Sequence, residues 1–142
     1  MTKDDARPTV IHHPSVDHEE IEFAHPSEEE LANILDFYGI EWRYEPTTFP
    51  LRWDKEGNLR EAFSPDFYLV NEGLYVELTT LHPKLMRLKR RKIRRLKALY
   101  PQVEIRLWDR SDFVRLLERF GMQKRKPSLV GQEAIEKADD ET

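Results

Sequence analysis

The chain has 142 residues, with 23 Lys and Arg against 27 Asp and Glu, a formal net charge of −4 and no cysteine. The length suits one domain with tails, since single domains run to roughly 100–200 residues. The missing thiols exclude disulfides, Cys-ligated zinc, iron–sulfur clusters and a thiol nucleophile.

No apolar run approaches the roughly 18 residues that a membrane span needs, and residues 1–20 lack the apolar stretch of a secretory signal. The expectation is a soluble cytoplasmic protein with no membrane partner. Residues 1–22 are polar and aperiodic and read as a disordered tail. The first helix is expected to begin at Ser27, which forms an S-x-x-E capping box with Glu30. Leu31, Ile34, Leu35 and Tyr38 share one face of it, and Gly39 supplies the stop.

Residues 41–53 are rich in Trp, Tyr, Thr and Phe and read as a strand, with prolines that imply an edge or a bulge. A turn at 54–58 joins it to a second strand within 59–70, so the two form a hairpin. Asn71-Glu72-Gly73 is a further turn, and Leu74–Thr79 is a third strand. A long helix follows from Lys84 to Leu99, ended by Pro101; then come a strand at Val103–Trp108 and a helix at Ser111–Phe120, capped by Ser111 and stopped by Gly121. The order is helix, three strands, helix, strand, helix. It describes an α/β fold with a mixed central sheet flanked by helices, because the long helix can cross over to a parallel strand. The ordered domain is expected at 23–122, and 123–142 reads as a disordered tail, basic and then acidic.

Three carboxylates can converge. Asp66 follows Pro65 at the irregular start of the second strand. Glu77 shares a strand face with Tyr75 and Thr79, where an unpaired acid is costly to bury. Among Glu28, Glu29 and Glu30, the helical angle aims Glu28 toward the sheet, while Glu29 points away and Glu30 serves the cap. A solvated strand face, and an acidic first turn that satisfies the helix dipole, are the plain alternatives. Two carboxylates on neighbouring strands repel unless a divalent cation lies between them, and hard oxygen ligands suit Mg²⁺ or Mn²⁺.

The charges are unevenly spread. Residues 84–126 hold 16 bases and 4 acids, against 12 acids and 3 bases in residues 1–45. Nine of the bases fall within Lys84–Lys97. Such an asymmetry points to a polyanionic partner. Leu85, Leu88, Lys89, Lys92, Ile93, Leu96 and Leu99 share one expected face of this helix. Lys89 and Lys92 therefore interrupt its apolar stripe, and they either snorkel outward or meet buried acids. Arg87, Arg90, Arg91, Arg94, Arg95 and Lys97 spread over the rest of the helix, and the outward arginines could hold phosphates without reading bases, as could Lys84 and Lys92. The cluster at 123–126 extends that surface or belongs to the tail.

An acidic first helix, Pro65-Asp66 on the second strand and Glu77-Leu78-Thr79 on the third resemble the PD-(D/E)xK nuclease superfamily, over about residues 25–120. The small resolvase-like and transposase-end-nuclease-like branches are the most similar. The resemblance implies the restriction-endonuclease-like αβββαβ core and a Mg²⁺- or Mn²⁺-dependent endonuclease that cuts nucleic acid, preferably DNA. It implies Glu28, Asp66 and Glu77 as metal ligands, with the Leu78 carbonyl as a further one, and a homodimer or an attached partner protein. The motif lysine is replaced by Thr79, so either the site is inactive or a lysine comes from the next helix. Lys89 is then the preferred candidate, with Lys92 and Lys84 behind it. A nucleic-acid-binding module without catalysis, or a protein-interaction domain, are the alternatives.

The histidines carry less. His12, His13 and His18 lack paired carboxylates at a fixed spacing for a metal, and His82 reads as a helix-start residue that could also contact phosphate. Trp42, Tyr44 and Phe49 read as strand packing, with Trp53 near the hairpin tip as the one candidate for stacking on a base.

Overall fold

The computed structural model describes residues 9–112 together with 115, 118 and 119. Its elements, in order, are β1 (Ile11–His12), a 3₁₀ turn (His18–Glu20), α1 (Pro26–Phe37), β2 (Trp42–Tyr44), β3 (Thr47–Trp53), β4 (Leu59–Phe63), β5 (Phe67–Leu69), β6 (Leu74–Leu78), α2 (Pro83–Leu99) and β7 (Ile105–Trp108). The fold is mixed α/β. A four-stranded sheet in the order β2-β5-β6-β7 is antiparallel except for the parallel β6–β7 pair, across which α2 makes the connection. A three-stranded antiparallel sheet runs β1-β3-β4.

The expected long hairpin is thus cut in two. Both of its arms break at the same level, at Glu45-Pro46 on one side and Ser64-Pro65-Asp66 on the other. Pro46 and Pro65 have no N–H to give a ladder, and Glu45 takes a left-handed φ of 45°. Its N–H reaches back to the Asp66 carbonyl at 2.8 Å, which pins the two breaks to each other. Outward of the breaks the arms continue as the β3–β4 hairpin, where the register shifts around Pro50 and Arg52 realise the expected bulge.

Helix α1 also differs from expectation. Its N-cap is His25 and Pro26 opens the first turn, so Ser27 lies inside the helix and forms no capping box. Proline fits the first helical position because its missing N–H would have had no helical acceptor. Glu30, released from the cap, pairs with Arg110 at 2.6 Å. Residues expected as an N-terminal tail join the fold: β1 pairs with β3, and the His18 ring stacks on Trp42 at 3.7 Å. Of the expected last helix, Arg110–Asp112 and residues 115, 118 and 119 are described as helical. Its cap is Asp109, which accepts the Asp112 N–H at 2.7 Å, rather than Ser111; Phe120, Gly121 and the cluster at 123–126 lie outside the described residues.

Two cores flank the four-stranded sheet. On one side Leu31 and Leu35 of α1 meet Trp42, Phe67, Leu69, Val76, Leu78 and Trp108. On the other, Ile93 and Leu96 of α2 meet Phe49, Leu51, Phe63, Tyr100 and Ile105. The Tyr100 hydroxyl donates to the Pro50 carbonyl at 2.8 Å and ties the end of α2 to β3. The buried stripe of α2 is Met86, Ile93 and Leu96, so Leu85 and Leu88, expected in the core, are exposed instead. Among the described residues no helix is long and apolar enough to cross a membrane.

Phe67 is fully buried against Trp42 and Tyr44, with ring centroids at 5.5 and 5.6 Å. Phe67→Ala should cost roughly 3–5 kcal/mol, read as a lowered urea midpoint. Phe37→Ser, at a position 62% exposed, should stay within about 0.5 kcal/mol of the parent.

Candidate functional site

Strand register places the first two acids together. In the β5–β6 ladder Phe67 faces Val76, and extending that register by one residue sets Asp66 opposite Glu77. Phe67 and Val76 point into the core under α1, so by alternation Asp66 and Glu77 turn to the side of α2. Each carboxylate accepts a backbone N–H from the other strand. Asp66 N–H donates to Glu77 Oε1 at 3.0 Å, and Leu78 N–H donates to Asp66 Oδ2 at 3.0 Å.

Lys89, one of the two lysines that interrupt the α2 stripe, completes the group. Its ammonium lies 3.1 Å from Glu77 Oε2 and donates to the Leu78 carbonyl at 2.5 Å. Lys92 is half-buried and Lys84 exposed, and neither makes an ion pair among the described residues. Thr79 donates its N–H to the Trp108 carbonyl and its residue lines the same cleft as Asp66 and Lys89.

The third acid is near but separately held. Glu28 is buried, as its helical angle foretold, yet its Oε1 accepts from the Tyr44 hydroxyl at 2.6 Å and from Ala24 N–H at 3.0 Å. Burial and that hydrogen bond push the Tyr44 phenol well up. Among the described residues no group of three or more His, Asp or Glu side chains is placed to hold a metal ion. The expected three-carboxylate ligand set is therefore not formed, because Glu28 is committed to Tyr44 and the α1 entry. What converges is two carboxylates and the Leu78 carbonyl. That all-oxygen set fits a hard cation such as Mg²⁺, which keeps several waters and takes one or two protein carboxylates.

These groups stand at a cleft of about 680 Å³ whose walls include Glu28, Asp66, Leu78, Thr79, Lys89 and Arg110. Glu77 lies behind the wall, buried. Burial raises the Asp66 carboxyl from an ordinary 3.8 to about 8; the negative charge of Glu77 adds to the rise, and the Leu78 N–H and the Lys89 ammonium only partly offset it. Glu77 is also raised, by burial first, with the Lys89 ammonium opposing. The ammonium contacts Glu77, so Asp66 is the member that holds the proton near neutral pH.

The bases of α2 divide by partner. Arg91 forms a forked pair with Glu61 at 3.0 and 3.4 Å, and Arg52 joins the same carboxylate at 3.4 Å. Arg95 donates to the Leu51 carbonyl at 2.9 Å. Both arginines thus brace α2 against the hairpin, contrary to the expectation of a purely outward role. Arg87, Arg90 and Arg94 are exposed around Leu88 and have no ion-pair partner among the described residues.

His82 caps α2, accepting the Leu85 N–H at a long 3.5 Å. Trp42 and Phe49 are buried, and Trp53 is half-buried at the end of β3. Sequence reasoning missed Tyr44 as the partner of Glu28, Arg110 at the cleft, and the exposed Leu85 beside it. No single-residue signal marks the first; it follows only from the β2–β5 pairing. No protein-family model, no curated protein and no solved structure matches the chain.

The raised Asp66 pKa has a definite sign in stability. Between about pH 4 and pH 8 the unfolded chain ionises this carboxyl while the fold keeps it protonated. The unfolded state then binds fewer protons, so without a divalent ion stability should fall as pH climbs through that window and level off above it. Asp66→Asn keeps an acceptor for the Leu78 N–H and removes the charge. It should flatten the decline and raise stability at pH 8 by about 1 kcal/mol or more, measured by thermal melts from pH 4 to 9.

Proposed function

We propose that this chain is a Mg²⁺-dependent nuclease of the PD-(D/E)xK kind, with DNA as the preferred substrate. The observation that carries the reading is the meeting of Asp66, the Leu78 carbonyl and the Lys89 ammonium at one cleft, with Glu77 directly behind its wall. Residues as far apart in sequence as Asp66 and Lys89 are brought there by a cross-strand pair and a crossover helix. After α1 the order is strands, α2 and then β7, with a parallel β6–β7 pair; this order supports an αβββαβ core when β2 with β3, and β4 with β5, are each counted as one broken strand.

Asp66, Glu77 and the Leu78 carbonyl would hold the ion. When bound, Mg²⁺ lowers the pKa of a water and neutralises charge gathered on phosphorus. Lys89 supplies the cation that Thr79 lacks, from α2 instead of β6. A lysine ammonium in that cleft can orient a water or stabilise a phosphate oxygen. Glu28 acts at a distance: its negative charge adds to the rise at Asp66, and through Tyr44 it fixes the entry of α1. Arg87, Arg90 and Arg94, on the exposed surface of the same helix, would contact the phosphate backbone without reading sequence.

Purified protein with Mg²⁺ or Mn²⁺ should cut double-stranded or branched DNA. Asp66→Ala and Lys89→Ala should each lower the rate by at least about 100-fold. Replacing Arg87, Arg90 and Arg94 together by Ala should weaken binding to all sequences alike and reduce the salt slope by up to about 3. Cutting that survives Asp66→Ala would identify a contaminant and sink the site. Salt-sensitive binding with no cutting would support the non-catalytic binding module instead.

A further inference from the structure

We propose that Lys89 is the resident cation of the carboxylate site, and that a divalent ion entering the site displaces its ammonium into the cleft. The inference rests on the nuclease reading above and deepens it. Lys89 Nζ stands 2.5 Å from the Leu78 carbonyl and 3.1 Å from Glu77 Oε2. Two of the three groups that would hold the ion are thus already held by a positive charge belonging to the chain. An ammonium has donors only and no acceptor, and its bonds to charged or strongly polar oxygens are the short, strong kind. It already takes a lone pair on two of the groups that an ion would use, and two cations crowded on the same oxygens repel. They are therefore alternative occupants of these oxygens.

The resident charge answers a physical problem. Glu77 is 4% exposed and sits against Asp66. A carboxylate so buried is stable only when paired, and without Lys89 the site would stay expensive until an ion arrived. Helix α2 itself is anchored by Met86, Ile93 and Leu96 in the core. The change therefore requires only the four-carbon stem of Lys89 to turn. That stem has room, because the Lys89 side chain is 25% exposed and its residue lines the cleft.

The consequence is an order of events. The ion loads first, and only then is the lysine available to a phosphate in the cleft. The cation on α2 thus serves two successive places, which a lysine at residue 79, just after β6, could not do.

The test uses the full chain at pH 8, treated briefly with an acetylating reagent in the presence and absence of Mg²⁺. Modification of Lys89 is read by peptide mass spectrometry against Lys55, an exposed lysine in the β3–β4 turn. Mg²⁺ should raise the labelling of Lys89 relative to Lys55 by about tenfold, the scale of losing one charge-assisted hydrogen bond. Asp66→Ala should abolish the rise. In a parallel thermal-shift titration Lys89→Met should need less Mg²⁺ than the parent for half its stabilisation. If Mg²⁺ stabilises the parent protein but leaves Lys89 labelling unchanged or lowered, the displacement is wrong and the nuclease reading stands. If Mg²⁺ neither stabilises the protein nor alters labelling, both fail.

Discussion

Asp66 and Glu77 each accept a backbone N–H across the β5–β6 register, and the rest of the site depends on that exchange. Two buried carboxylates side by side would ordinarily drive a strand pair apart. Here each satisfies a donor of the opposite strand, so the acids serve as ladder acceptors where the strand breaks. The breaks at Glu45-Pro46 and Ser64-Pro65 are what open this place in the sheet. The Glu45 N–H on the Asp66 carbonyl shows that the interruption is held, not frayed. The cost of the arrangement is visible in the high Asp66 pKa. Sites that retain such a cost are candidates for function, because an asparagine would satisfy the same N–H without the charge.

The residues of helix α2 divide by role, which explains its composition. Met86, Ile93 and Leu96 pack inward. Arg91 and Arg95 secure the helix to the hairpin through Glu61 and the Leu51 carbonyl. Lys89 reaches the acids, and Arg87, Arg90 and Arg94 remain exposed. Nine bases on one helix are therefore not one patch. A count of charges would assign all of them to a polyanion, yet two are spent on architecture and one on the acidic pair.

Much of this was readable in the residues. Periodicity located both helices, alternation in LYVELT put Glu77 opposite the apolar face, and helical angle singled out Glu28 and Lys89. The parts that were not readable have physical causes. A proline pair in different arms, Pro46 and Pro65, splits one hairpin into two sheets only when the arms are in register, and register is not a local property. Ser27 looked like a cap, but Pro26 at the first helical position moved the start by two residues to His25. The apolar stripe of α2 was assigned a width that the narrow contact with the sheet does not cover, leaving Leu85 and Leu88 outside. Glu28 pointed the right way, yet its partner, Tyr44, comes from a strand whose neighbours cannot be seen in sequence.

The central claim is that Asp66 and Glu77 form a site that exchanges protons and the Lys89 ammonium for a divalent ion. Its most direct measurement is calorimetric titration of Mn²⁺ into the protein at pH 7, in buffers of different ionisation enthalpy. One ion should bind per chain with release of close to one proton, since burial and the Glu77 charge raise the Asp66 carboxyl to about 8, and both signals should be lost in Asp66→Ala. Binding without proton release, or binding that persists in Asp66→Ala, would place the ion elsewhere and contradict the claim.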